Sequence, residues 1–332
     1  MHQLEIIGSE AVAAALDGRE TAVLECVRDT YLLHERGRTV NPDSHFLRFP
    51  EKPDSRIIAL PAFVNDDRPT AGIKWISSFP ANVARGKQRA SAILVLNDYE
   101  TGHPVAVLES AAISAARTAA SAALAARVLA KQAPETVGVI GAGYIARTVC
   151  AYLAASGTPL DRVVCHDQDP ASAAALAAHL NGRSPGTATT GALQDALDAD
   201  LVVFATTALA PYVPVAHRFR PDQLALHLSL RDLAPETLLA SHNIVDDVEH
   251  CLKAQTSPHL AEGLVGHRDF VNGTLAQVVL GDVALDANRP TVFSPFGLGV
   301  LDIAVGRLVL DEARSTGRSV SAEGFFGDPV RW

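Results

Sequence analysis

At 332 residues the chain exceeds the roughly 250–300 at which a single hydrophobic core stops growing, so two domains are expected. It is 48% hydrophobic and 20% charged, the balance of a globular protein rather than a disordered one. A net charge of −9, without any lysine- or arginine-rich block, argues against a nucleic-acid partner, because nothing is present to neutralise a run of phosphates.

The four cysteines, Cys26, Cys150, Cys165 and Cys251, lie far apart and form no CxxC pair, which predicts reduced thiols in a cytoplasmic protein and no metal site. The opening MHQLEIIGSEAV has neither the basic stretch nor the apolar core of a signal peptide, and Arg117 and Arg127 interrupt the alanine-rich run that follows Ser110, so no membrane association is expected.

In chain order, Val12, Leu16, Val23, Leu24, Val27 and Tyr31 recur at helical spacing between Ser9 and Gly37, and Asp17-Gly18 divides the run into two helices. The rhythm then changes. Phe46–Phe49, Arg56–Leu60, Ala71–Ser77, Ala92–Asn97 and Pro104–Leu108 are short β-rich runs between Pro, Asp, Asn and Gly, read as an antiparallel sheet whose last two strands form a hairpin around Asp98–Gly102. Ser110–Lys131 is a long helix, rich in the best helix former and closed by Pro134; it reads as the link between domains.

Beyond it come a strand at Thr136–Ile140, a helix to about Ser156, a strand at Arg162–His166, another alanine-rich helix and a strand at Leu201–Ala205. This βαβαβ alternation predicts a parallel sheet. Leu224–Leu230 and Ile244–Val248 are candidate further strands, and Gly299–Thr316 is a last helix able to return to the first domain.

The strand Thr136–Ile140 runs into Gly141-Ala142-Gly143-Tyr144-Ile145-Ala146, a G-x-G-x-x-A sequence at the head of a helix. There Gly141 allows a tight turn, Gly143 lets backbone approach a pyrophosphate, and Ala146 keeps the helix close to the sheet, with the first helical amides facing the phosphates. By itself such a turn is weak evidence. Asp167 strengthens it: a carboxylate just past the next strand can accept bonds from a ribose, although it stands further along than the usual ~20 residues. A carboxylate there repels a 2′-phosphate, so NAD is expected rather than NADP. The neighbouring His166 reads as a strand residue.

Five further segments carry a wider pattern: GIKW around Lys74, SAARTAA around Arg117, FATT at Phe204–Thr207, SLRD at Ser229–Asp232, and FSPFGLGVLDIAVG at Phe293–Gly306. With them the chain resembles the ornithine cyclodeaminase/μ-crystallin family over nearly its whole length. RFPEKPDSRIIALPA and GIKWISSFPANVARGKQRASAILVLNDYETG look most like the branch acting in 2,3-diaminopropionate biosynthesis.

The resemblance implies an α/β fold in which a Rossmann-type doubly wound sheet (119–306) is joined to an α+β substrate-binding and dimerisation domain (1–118 and 307–332). It further implies a homodimer formed through the sheet of that domain. It implies that Arg48, Lys74 and Arg117 clamp a substrate carboxylate, an arrangement that would fix a Cα–H bond for hydride transfer. Arg117 alone would read as a domain-interface salt bridge. Asp232 is implied as the catalytic acid/base, with Lys74 beside it in the chemistry; from the residues alone, Asp232 reads equally as a cap for a helix at Pro235–Ala240. Thr118, Thr206, Thr207, Ser229, Leu230 and Ser294, with Arg117 and Asp232, occupy positions near cofactor in such proteins.

The departures from the family's pattern are informative. Ornithine cyclodeaminases place a glutamate, to receive a distal ammonium, where this chain has Ile58, which argues against ornithine. Glu236 stands where the cyclodeaminase has a lysine, and Arg89 where it has a threonine. Arg89 reads as the receiver of an additional carboxylate or, equally, as a solvated arginine after the turn at Gly86. The implied reaction is NAD-dependent oxidation of a small amino-acid substrate, an N-substituted glutamate, followed by hydrolysis of the imine; the alternatives are a ketimine or imine reductase or an amino-acid dehydrogenase on the same scaffold, and, from another class, a non-catalytic ligand-binding protein, against which the retained Asp232 speaks.

Overall fold

The computed structural model describes residues 3–183 and 186–327. In chain order these form β1 (Leu4–Ile7), α1 (Ser9–Leu16), α2 (Glu20–Glu35), β2 (Thr39–Val40), β3 (His45–Phe49), β4 (Lys52–Val64), β5 (Thr70–Ser78), β6 (Ala90–Asp98), β7 (Pro104–Glu109) and α3 (Ala111–Leu129). Next come β8 (Val137–Ile140), α4 (Tyr144–Ala155), β9 (Arg162–His166), α5 (Pro170–Asn181), β10 (Thr187–Thr190), α6 (Leu193–Leu197), β11 (Leu201–Phe204), β12 (Leu224–His227), α7 (Pro235–Leu239) and β13 (His242–Val245). The chain ends with α8 (Val248–Cys251), α9 (Ser257–Val265), β14 (Val271–Thr274), α10 (Leu275–Leu280), β15 (Thr291–Ser294), α11 (Gly299–Ser315) and β16 (Val320–Ala322).

Two compact units result, Met1–Arg117 with Leu298–Trp332, and Thr118–Gly297. The return to the first unit falls at Leu298, ahead of the 307 expected from the sequence, because all of α11 packs there against α1, α2 and β4–β7. A boundary inside that helix would cut a continuous contact. At Gly306 the fit is close enough that an added Cβ would stand 2.1 Å from Leu94 Cδ2.

The first unit's sheet has the order β16-β1-β7-β6-β5-β4-β2, with β3 also paired to β4. The strands from β3 to β7 pair antiparallel as expected, but the sheet is mixed: β1 lies parallel to β7 and antiparallel to β16. Alternation decides which residues share a face. The cross-strand row Leu60, Lys74, Leu94 points to one side, where Leu94 meets Gly306 of α11, and the row Ala59, Trp75, Ile93 to the other.

The second unit's sheet has the order β10-β9-β8-β11-β12-β15-β13-β14, and every pair is parallel. Its first five strands follow the doubly wound order 3-2-1-4-5. β8, β11, β12, β13 and β15 are buried at every residue, as a sheet covered on both faces requires. The strand expected over Leu224–Leu230 stops at His227, because Leu230 takes a left-handed backbone with φ +77° that no ladder accommodates. Among the described residues no helix is long and apolar enough to cross a membrane.

Candidate active site

The carboxyl edge of the parallel sheet gathers most of the chemistry expected in the second unit. The strand order reverses between β8 and β11, and the glycine turn leaves β8 at this switch point. Gly141 has φ +89°, and a Cβ on it would lie 2.6 Å from the Ala205 carbonyl oxygen beyond β11, so both conformation and space demand glycine. Gly143 is different: a Cβ there would meet nothing within 4 Å. The protein itself leaves that space free, as close approach of a ligand would require.

Gly143 is also the N-cap of α4 and offers no side-chain bond, so the amides of the first turn stay available to an anion. Tyr144 is exposed at that end under the Arg147 guanidinium, 5.2 Å from its ring, and Ile145 follows it in the same turn. Asp167 Oδ2 accepts from the Ala142 amide at 2.7 Å and Oδ1 from the Asp169 amide at 2.9 Å, tying β9's end to the turn. A carboxylate offers about four acceptor positions, so two are left for a ribose. Together the open space, the uncapped helix and this carboxylate fit a dinucleotide. His166 Nδ1 lies 3.1 Å from the Gly191 carbonyl oxygen.

Asp232 is fully buried beyond β12 and sits inside a hydroxyl and imidazole network. Thr206 Oγ1 donates to its Oδ1, and Ser229 Oγ donates to its Oδ2. His227 Nε2 stands 3.1 Å from Oδ2 and 3.1 Å from the Asp232 amide nitrogen, while His227 Nδ1 lies 3.1 Å from Ser294 Oγ at the end of β15. Burial alone would push this carboxyl up. The His227 bond and charge and the two hydroxyls outweigh it and hold the group at about 2, so Asp232 is an anion at neutral pH. Oδ1 accepts from Thr206, and Oδ2 faces both Ser229 and His227. Burial, and then the Asp232 charge, raise the Tyr212 phenol, which stays protonated. Asp232 does not cap a helix: the N-cap of α7 is Ala234.

The expected cations of the first unit lie on the sheet face that carries Lys74 and on α3. Lys74 is buried on β5, and its Nζ donates to Asp302 Oδ2 at 2.6 Å and to Ser114 Oγ at 3.2 Å. Arg117 Nε donates to Asp302 Oδ1 at 3.3 Å. Burial first, and then the Arg117 charge, pull Lys74 down to about 8 against the opposing pull of Asp302. Two cations therefore share the Asp302 carboxylate.

Arg48 lies across β3 and β4 from Arg56, with its guanidinium 5.1 Å from the Phe46 ring. Arg89 is not a solvated arginine: it is half-buried, and its Nη1 donates to Ser78 Oγ at 2.8 Å. Ile58 shares the face of Lys74, and Glu236 is exposed on α7. Thr118 follows Arg117 on α3, Thr207 is exposed past β11, and the Leu230 carbonyl accepts from the Ser257 amide at 2.7 Å.

Asp302, His227, Tyr212 and Arg56 were not singled out in the sequence. Asp302 carried a signal, since one carboxylate inside the apolar run GLGVLDIAVG must find a cation when buried. His227 ends the strand LALH without any comparable mark.

A doubly wound parallel sheet with a glycine turn and an uncapped helix at its switch point defines a Rossmann-type α/β protein, here with a second, α+β unit. The ornithine cyclodeaminase/mu-crystallin family model matches residues 12–317, and the chain belongs to that family. It is 26% identical over 305 residues to the N-((2S)-2-amino-2-carboxyethyl)-L-glutamate dehydrogenase of Staphylococcus aureus (strain NCTC 8325 / PS 47), covering 88% of this chain and 90% of the relative. A solved structure named CmnK is 29% identical with a TM-score of 0.86, covering 98% of this chain and 100% of that one. An archaeal alanine dehydrogenase dimer with bound NAD has a TM-score of 0.87 at 24% identity, over 97% and 100% of the two chains, a likeness of fold.

Proposed function

We propose that the chain is an NAD-dependent oxidoreductase that cleaves N-(2-amino-2-carboxyethyl)-L-glutamate to L-2,3-diaminopropionate and 2-oxoglutarate. Gly141, Ala142, Gly143, Tyr144 and Ile145 receive the diphosphate, Asp167 takes the adenosine ribose, and Thr118, Thr206, Thr207, Ser229, Leu230 and Ser294 line the rest of the cofactor. NAD, when bound, supplies the hydride acceptor. The archaeal alanine dehydrogenase structure holds that cofactor on the same fold, and Asp167 disfavours a 2′-phosphate.

Arg48, Lys74 and Arg117 clamp the α-carboxylate of the glutamyl half and fix its Cα–H bond. Asp232 uses Oδ1 to take the amine proton as hydride leaves Cα, returns that proton to the imine nitrogen, and, ionised again, orients and deprotonates the water that adds to the imine carbon. Collapse of that adduct breaks the C–N bond, and the amine departs with the proton returned from Asp232. Holding the base at about 2 keeps it ionised and ready.

The observation that carries this reading is the buried Asp232 anion at the carboxyl edge of the sheet, held by Thr206, Ser229 and His227. Substrate choice is supported by Ile58, which leaves no acid for a distal ammonium, and by the S. aureus relative. The test is to mix enzyme, NAD and the substrate and follow NADH absorbance. Absence of NADH, with ornithine giving proline and ammonia instead, would overturn the choice.

We also propose a homodimer through the other face of the first unit's sheet, where Leu47, Trp75 and Ile93 are exposed together. The archaeal structure is a dimer. Light scattering on the wild type and Trp75→Glu checks this, with a monomer expected for the variant.

A further inference from the structure

We propose that Arg56 and Arg89, beside Arg48, form a second anion subsite on the first unit that reads an additional carboxylate and restricts the enzyme to polycarboxylate substrates. This deepens the function proposed above and rests on it for the identity of the substrate.

The register brings the three guanidinium side chains together. Arg48 pairs directly with Arg56 across β3 and β4, and Arg56 pairs with Ser78 across β4 and β5. Directly opposed residues place their Cβ atoms ~5 Å apart on one face. The buried Ser78 is also the hydroxyl to which Arg89 donates. Arg56 and Ser78 alternate in phase with Leu60 and Lys74, so this cluster shares the face of the first carboxylate clamp.

These cations lack what six other arginines of the unit have. Arg19, Arg28, Arg68, Arg307 and Arg314 each face an acid, and Arg117 shares Asp302 with Lys74. Among the described residues no carboxylate is bonded to Arg48, Arg56 or Arg89. Like charges directly opposed on a sheet repel. Burial, and then Arg48, lower the affinity of Arg56 for its proton, and burial, and then Arg56, do the same for Arg89. The sheet thus carries an uncompensated repulsion that one carboxylate would relieve, held bidentate by the planar forks.

Ile58, two residues from Arg56 on the same face, offers nothing to an ammonium. The arginine cluster would bind an acidic arm and reject a basic one.

Binding of glutarate and of butyrate to the full chain, by titration calorimetry, tests the subsite without turnover. Glutarate is expected to bind the wild type at least tenfold more tightly than butyrate. Arg56→Gln and Arg89→Gln should each lose tenfold or more for glutarate, with butyrate and NAD affinities held within twofold. Arg56→Lys, which keeps the charge but not the fork, should lose several-fold. With the N-substituted glutamate, Arg56→Gln should raise KM and spare kcat. Because repulsion is relieved, the ligand-free Arg56→Gln protein should melt no lower than the wild type.

Equal affinity of the wild type for the two acids would overturn the proposal, as would unchanged glutarate affinity in Arg56→Lys and Arg89→Gln, or a fall in melting temperature that marks Arg56 as a structural group. If no substrate yields NADH while the glutarate results hold, the reaction assigned above fails and the subsite stands.

Discussion

Replacing Asp302 by asparagine keeps the side chain's shape and removes the one charge that Lys74 and Arg117 share. If Lys74 had to remain charged, loss of its buried partner would cost ~3–5 kcal/mol. It has an escape, because burial has already brought it from 10.5 to about 8. Shedding the proton at pH 7 therefore costs only ~1.4 kcal/mol, and the lost hydrogen bond adds ~1 kcal/mol, which limits the total to roughly 2–3 kcal/mol.

The sign of the pH dependence follows from the depressed folded value. The burden of holding Lys74 charged is fully present below about pH 8 in the wild type and fades as pH rises from there toward 10.5. Without the Asp302 charge the folded value drops further, and the variant begins to gain stability at a lower pH. The gap between the two proteins should thus widen by ~1.4 kcal/mol per unit as pH falls below about 8, up to the ~3–5 kcal/mol limit. Urea unfolding between about pH 6 and pH 9 reads this. Trp75 stands on β5, so its fluorescence follows the first unit. A gap that stays flat over this range, or a variant as stable as the wild type at the acid end, would refute the reasoning.

Gly141→Ala should destabilise the second unit by ~1–3 kcal/mol in thermal unfolding, through its φ of +89° and the Ala205 carbonyl oxygen at 2.6 Å. Gly143→Ala should leave unliganded stability within ~0.5 kcal/mol, since its Cβ meets nothing. Its NAD affinity, measured by calorimetry, should still drop about tenfold, a loss of ~1.4 kcal/mol. Asp232→Asn should slow NADH formation by roughly 10²-fold or more while NAD still binds, and an unchanged rate would remove its acid/base role. Ile58→Glu should let ornithine bind and weaken the N-substituted glutamate, which a comparison of kcat/KM for the two would show.

How much of this was legible follows from signal strength. The long strands β4, β5 and β6, the alanine-rich α3 and the strand-glycine-helix sequence at Val137–Ala155 announce themselves by period and punctuation. β1, β10 and β14 do not: four residues such as TATT or VNGT are too short and polar to show alternation, and β1 becomes a strand only when β7 and β16 flank it. The same divide runs through the site. Gly141, Asp167 and Lys74 stand inside recognisable segments. The Lys74–Asp302 pair joins residues distant in sequence, and the opposition of Arg48 to Arg56 depends on a register that periodicity does not fix.

The two crossings between units also set an order of birth on the ribosome. Residues 118–297 are continuous and can collapse as soon as they emerge. The other unit waits for its last stretch, since β1 gains its neighbour β16, and Lys74 its bonded Asp302 carboxylate, from the final segment synthesised. Until then the nascent amino-terminal sheet holds an unneutralised ammonium and an open groove where α11 will lie. A chain cut short before Leu298 should therefore release a finished nucleotide-type unit tethered to a half-made partner, the form that chaperones and proteases would meet first.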